Sequence, residues 1–188
     1  MDARIERTRR ALQGALLELA RERPYDELSI SLIAERAGVN RSSFYQHYGD
    51  RDELLADALD AAAEAAGANA PELELVPTGL PPEGMAHFLA HFADHAELYR
   101  RALGPRGSAL VVARLRGRVA ALVREGVART HSHAFDEMPI EVAAAGLAGS
   151  IVGVITAWLE LDPLPDVEVA AEWLWRMVLG PGDTRELP

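Results

Sequence analysis

A chain of 188 residues, 49% apolar and 26% charged, has a globular composition and the length for a sizeable core, which argues against a disordered or low-complexity protein. It contains no cysteine, which excludes a disulfide scaffold, a thiol nucleophile and a cysteine-ligated zinc or iron–sulfur site. The net charge of −10 is unevenly spread: residues 1–49 hold eight Arg against seven Asp and Glu, whereas residues 50–188 hold eleven against twenty-two and so carry −11. A near-neutral head on an acidic body does not by itself decide for nucleic acid as a partner. Residues Met1 to Arg10 are charged and carry no apolar stretch, so no secretory signal is read and a cytoplasmic location is expected.

The first helix is expected over roughly residues 3–22, where Leu12, Leu16 and Leu19 recur at helical spacing, with Pro24 ending it. Ser29 is a good N-cap for a short helix through Arg36, and Gly38 stands where a helix end needs a left-handed residue. Asn40 caps a second short helix to about Tyr48, and Gly49 breaks it. The run Asp50-Arg51-Asp52-Glu53 reads as a capping box opening an alanine-rich helix to about Ala66. Residues 67–82, with Pro71, Pro77, Gly79 and Pro81, read as a loop between head and body. Body helices are expected at about 83–94, 95–103, 107–130, 139–161 and 166–179. No strand and no repeat is predicted, and the 33 alanines favour helix.

Two short helices across a tight Gly38 turn suit a helix-turn-helix, whose second helix lies in the DNA major groove. Residues 40–47 present Arg41, Ser42, Ser43, Tyr45, Gln46 and His47, poor core material but well suited to base edges and phosphates. Ala37, Val39 and Phe44 would hold that helix from behind, and Tyr48 reads as core. The plainer reading is a three-helix subdomain without DNA function. The run from Ser29 to Leu55 resembles the signature of the TetR family of transcriptional repressors. It joins Ile33-Ala34-Glu35-Arg36-Ala37-Gly38-Val39 to Phe44-Tyr45-Gln46-His47-Tyr48 at the family's separation. The resemblance covers residues 5–60. It implies a DNA-binding head, a divergent ligand-binding body and a homodimer.

By position, the resemblance makes Arg41, Ser42 and Ser43 the base-reading start of the recognition helix. Tyr45 and His47 become groove and phosphate contacts, Gln46 the variable outward position and Arg51 a phosphate contact at the start of helix 4. Ser29, Ser31 and Asn40 complete the candidate DNA contacts. The pattern departs at Leu32, where the family often has an acid completing a capping box, and at Ser31, which is not basic; both weaken a phosphate anchor on helix 2.

In the body, His87, His91 and His95 recur every four residues. Three ligands from one helix face span about 12 Å at 1.5 Å per residue, too far for one ion, so at most a pair could bind metal. The plainer reading puts these imidazoles in or beside a pocket. Met85, His87, Phe88, His91, Phe92 and Tyr99, with Leu115, Val119, Leu122, Ile155 and Trp158, are the candidate pocket; a filled core is the alternative. Residues 142–159 are free of charge and approach membrane-span length, but their Ala and Gly content favours a core or interface helix. Ala145, Gly149, Gly153 and Ala157 form a small-residue stripe that, with Trp173 and Met177, is expected to meet a second copy rather than its own subunit. His131 and His133 read as loop residues, and the acidic groups near Asp136 and Asp162 as solvated ends.

The sequence therefore reads as an all-α protein. Residues 1–49 form a helix-turn-helix DNA-binding domain, helix 4 over 50–66 connects, and residues 50–188 form a ligand-binding and dimerisation domain. The expected function is a repressor that binds a palindromic double-stranded DNA operator as a homodimer and is released by a small apolar or aromatic effector. No cofactor, metal or membrane partner is expected. Nothing resembles a nucleophile–base pair or a Gly-rich phosphate loop, so it is not read as an enzyme. Its rivals are a small helical enzyme or metal-binding protein using His87 and His91, and a ligand-sequestering module that has lost DNA binding.

Overall fold

Apolar residues at helical spacing, cut by Pro, Gly and capping residues, become an all-helical chain. A computed structural model describes residues 3–66, 81, 83–130 and 137–179. Helix α1 spans Ala3–Glu22, α2 Ile30–Arg36, α3 Arg41–Tyr45 and α4 Arg51–Ala65. The body comprises α5 (Glu83–Asp94), α6 (Ala96–Leu103), α7 (Ala109–Thr130), α8 (Ile140–Leu159) and α9 (Val167–Leu179). No strand occurs among the described residues. The loop expected over 67–82 lies outside them except for Pro81, and so do His131 and His133.

Local chemistry explains the helix starts. Ser29 Oγ accepts from Leu32 N at 3.1 Å, Asn40 Oδ1 from Ser43 N at 2.7 Å, and Asp50 Oδ1 from Glu53 N at 2.8 Å. Glu53 reaches back one residue further than a standard capping box, accepting from Gly49 N at 2.7 Å. Gly38 has φ 69°, the left-handed conformation that turns α2 into α3. Two details differ from the expectation. The second short helix stops at Tyr45, and Gln46–His47 continue only as a turn. Pro24 begins a 3-10 turn, Tyr25–Glu27, that puts Tyr25 into the core.

Helix α1 packs on α2 and α4, and α2 packs on α3. Helix α4 also packs on α7, so one rod touches both ends of the molecule. In the body, α8 lies against α5, α6, α7 and α9, while α9 covers α5. One apolar cluster runs without a break from Leu12 in α1, through Leu55 and Leu59 in α4, to Trp158 and Trp175. Helix α8 is long and apolar enough to cross a membrane, with a mean hydropathy of 1.9, and is packed by its neighbours along one face.

Candidate nucleic-acid interface

Helix α3 is five residues long, and only Phe44 in it is buried. Phe44 meets Tyr48 at 5.8 Å between ring centroids, with Val39 and Ala37 packed against the same core. That fixes the inner side and turns the other side chains out. Arg41, Ser42, Tyr45 and Gln46 are exposed, Tyr45 to 49%, while Ser43 and His47 are half-buried. Arg41 Nη2 donates to Tyr45 Oη at 3.3 Å, and its guanidinium lies 5.7 Å from the Tyr45 ring centroid. Ser42 Oγ donates to Asn40 Oδ1 at 2.6 Å. Ser29 and Ser31 are exposed on the neighbouring helix, Ser29 serving also as its cap. The result is a shallow polar surface with one cation and several neutral donors and acceptors, the chemistry needed to read base edges and phosphates.

Arg51, expected as a phosphate contact, has partners within the protein. Its Nη1 donates to Tyr25 O at 3.1 Å and Leu28 O at 2.5 Å, and its guanidinium stands 4.3 Å from the Tyr25 ring. It braces the link between α1 and α2, because the 3-10 turn brings two carbonyls to it.

Behind the surface lies a cluster centred on Asp57 of α4. Its Oδ2 accepts from Arg9 Nη2 at 2.6 Å, Gln13 Nε2 at 2.8 Å and Tyr48 Oη at 2.7 Å, and its Oδ1 from Arg114 Nη1 of α7 at 3.4 Å. Arg114 also pairs with Asp60 at 3.3 Å, and Arg118 with the other Asp60 oxygen. Burial pushes the Asp57 carboxyl up, but the bonds from Tyr48, Arg9 and Gln13 outweigh it and hold the group below its ordinary value. Sequence reading missed this cluster, since its members lie far apart in the chain and Asp57 looks like any solvated helix acid.

Most residues expected to line a pocket belong to the apolar core, as the alternative of a filled core also requires. Met85, Phe88, Phe92, Tyr99, Leu115, Val119, Leu122, Ile155 and Trp158 are all buried in the common cluster, with Phe92 and Tyr99 at 4.6 Å between centroids. His91 is buried too, and its Nε2 shares a hydrogen bond of 2.9 Å with Tyr99 Oη. Burial, then the neighbouring His95, push its pKa down to about 4, so the ring is neutral at pH 7. His87 is a correction: it is exposed, and its Nε2 lies 2.6 Å from Ala66 O, where it pins α5 to the end of α4. The two imidazoles of the metal-binding alternative thus face different partners, and among the described residues no group of three His, Asp or Glu could hold an ion. Trp175 Nε1 is a buried donor without a hydrogen-bond partner, on a helix that packs against α5 and α8. Sequence reading assigned that helix to the interface and overlooked its inner face.

The stripe of Ala145, Gly149, Gly153 and Ala157 lies on the open side of α8, with all but half-buried Gly149 exposed. Val142, Trp173 and Met177 extend this surface, exposed to 58%, 37% and 56%.

Residues 14–58 match the family model of bacterial regulatory proteins, tetR family. The chain is 43% identical over 56 residues to the HTH-type transcriptional regulator YxbF of Bacillus subtilis. It is 41% identical over 58 residues to an HTH-type transcriptional regulator of Haemophilus influenzae. These matches take in 29% and 30% of this chain and span 15% and 28% of the two relatives' own lengths. The fold is similar to that of Thermus thermophilus FadR, a TetR-family transcriptional repressor in complex with lauroyl-CoA, with a TM-score of 0.65 over 96% of this chain and 97% of that one. At 22% identity that likeness is one of fold.

Proposed function

We propose that the chain, whose residues 14–58 match the tetR-family model, is a TetR-family repressor that binds a palindromic double-stranded DNA operator as a homodimer. In this reading residues 1–49 bind DNA, α4 connects, and residues 50–188 dimerise and take up a small apolar or aromatic effector that releases the operator. The observation that carries it is α3: five residues, one buried, with Arg41, Ser42, Tyr45 and Gln46 turned outward. A helix so short and so polar adds little to the core, and its shape fits a major groove.

Arg41 and Tyr45 exchange their mutual contact for base or phosphate oxygens, with Ser43, His47, Asn40, Ser29 and Ser31 around them. Arg51 acts indirectly, by holding the start of α2 in place. Two heads on a homodimer meet half-sites about one helical turn, roughly 34 Å, apart or a multiple of it. T. thermophilus FadR is in complex with lauroyl-CoA, a ligand with a long apolar chain. Here the buried aromatics of α5 and α6 favour the same apolar class, and Trp175 Nε1 offers a donor to one oxygen acceptor on the effector.

Mobility-shift titration against the DNA upstream of the gene tests the reading. Wild-type protein is expected to shift it, with affinity falling steeply as salt rises. Arg41→Ala and Tyr45→Ala each weaken binding by about 1–3 kcal/mol while leaving the fold intact, since both side chains are exposed. No shift at low salt from folded, effector-free dimer overturns it.

A further inference from the structure

The corner where α6 turns into α7 holds a cleft of about 270 Å³ lined by Asp26, Arg100, Arg101, Gly104, Pro105 and Arg106. Three guanidinium groups share it with one carboxylate, in a body whose charge is otherwise strongly negative. Two of the three are already held. Arg100 Nε donates to Leu159 O at the end of α8, and Arg101 Nη1 donates to Arg106 O at 2.5 Å. Three backbone hydrogen bonds close the turn beneath them: Gly104 N to Arg100 O at 3.0 Å, Gly107 N to Gly104 O at 2.8 Å and Ser108 N to Ala102 O at 2.9 Å. A Cβ at Gly104 would stand 2.7 Å from Arg100 O, so the turn requires glycine there. Side chains restrained before a ligand arrives lose less freedom when it binds.

The carboxylate in the cleft is replaceable. Arg101 Nε lies 2.8 Å from Asp26 Oδ1, but their side chains are 36% and 64% exposed, and an ion pair that open to water is weak. Arg100 and Arg106 have no carboxylate partner among the described residues. Arginine in the last turn of α6 also offsets the helix's C-terminal carbonyls. That accounts for Arg100 and Arg101, but not for Arg106, which stands beyond the helix end, nor for the concave space between the three.

We propose that this cleft binds a phosphate-bearing anion, a phosphate monoester or a diphosphate, whose oxygens take the place of the Asp26 carboxylate among Arg100, Arg101 and Arg106. Guanidinium groups suit such oxygens because they offer paired donors in a fixed plane. Asp26 belongs to the 3-10 turn between α1 and α2, whereas the arginines belong to the body. Occupancy therefore removes one of the ion pairs that join head and body.

Calorimetric titration of the full-length protein with inorganic diphosphate, at ionic strength held constant with sodium chloride, is the test. Saturable binding is expected. Arg106→Ala and Arg100→Ala should each weaken it roughly tenfold or more, the usual loss of a charge-assisted hydrogen bond. Asp26→Asn should tighten it, because the competing carboxylate is gone, and a purely structural Asp26 would not do so. Arg41→Ala should leave it unchanged, which separates this cleft from the DNA-facing surface and keeps the outcome independent of operator binding. Circular dichroism checks that each variant is folded. Heat no greater than that of sodium chloride alone overturns the proposal. So does binding that survives Arg106→Ala but falls with Arg41→Ala, or an affinity that Asp26→Asn leaves unchanged or lowers.

Discussion

Asp57 receives donors from α1, from the turn after α3 and from α7, so one carboxylate registers the position of both head and body. Its side chain is only 17% exposed, which makes a lost acceptor costly. Asp57→Asn keeps the shape but removes the charge from Arg9 and Arg114, and it is expected to cost about 1.5–3 kcal/mol in denaturant unfolding. The pH dependence has a definite sign. A carboxyl held below its unfolded value of about 3.9 contributes its full stability above that pH and loses it as pH falls through the lower folded pKa. Unfolding curves for wild type and Asp57→Asn should therefore converge as pH drops below about 4. A constant gap between them down to pH 2 would place the effect of the substitution outside the ionised carboxylate.

Helix α8 shows how one element serves two surfaces. Ala144, Ala148, Ile151, Val152 and Ile155 face the core, while Ala145, Gly149, Gly153 and Ala157 leave a smooth opposite side. A Cβ built on Gly149 or Gly153 meets nothing within 4 Å in its own subunit, so close packing inside the protomer does not explain these glycines. In the proposed homodimer a second helix would approach here, since small residues let two backbones draw near. Gly153→Leu should leave the protomer's circular dichroism and melting intact and yield monomers in sedimentation velocity. A stable Gly153→Leu dimer would move the interface elsewhere. Helix α9 is divided the same way: Leu174 and Trp175 point inward, and Trp173 and Met177 outward.

Across the whole molecule, α4 is the rod that joins the ends. It packs on α1 and α7, Asp57 and Asp60 tie it to arginines on both, and His87 holds its last turn to α5. Under the proposed function, an effector that shifts α5 or α7 would act on α4 through the apolar core they share. Release of DNA requires that the effector bind the non-operator arrangement better, and linkage makes the effect reciprocal. An apolar compound bearing one oxygen acceptor should then raise the melting temperature and weaken operator affinity together. Trp175→Phe should lessen both effects. Compounds that stabilise the protein without changing DNA affinity would separate the pocket from the coupling.

The helices and their caps were legible in the sequence because both are local. Leucine spacing, Ser29, Gly38, Asn40 and Asp50 act within a turn or two of chain, and the outward polarity of α3 follows from its composition. The outward placement of Arg41, Ser42, Tyr45 and Gln46 was readable for the same reason, whereas the surroundings of Arg51 were not. Its fate depends on carbonyls 23 and 26 residues away, presented by a 3-10 turn that one proline begins. His87 and His91 share a helical face in sequence, yet one reaches Ala66 O and the other Tyr99 Oη, because different helices lie above each. Asp57's four donors and the arginine corner around Asp26 also join residues far apart in the chain. Periodicity tells a residue which side of its helix it occupies; only the packing of helices decides which groups it meets there.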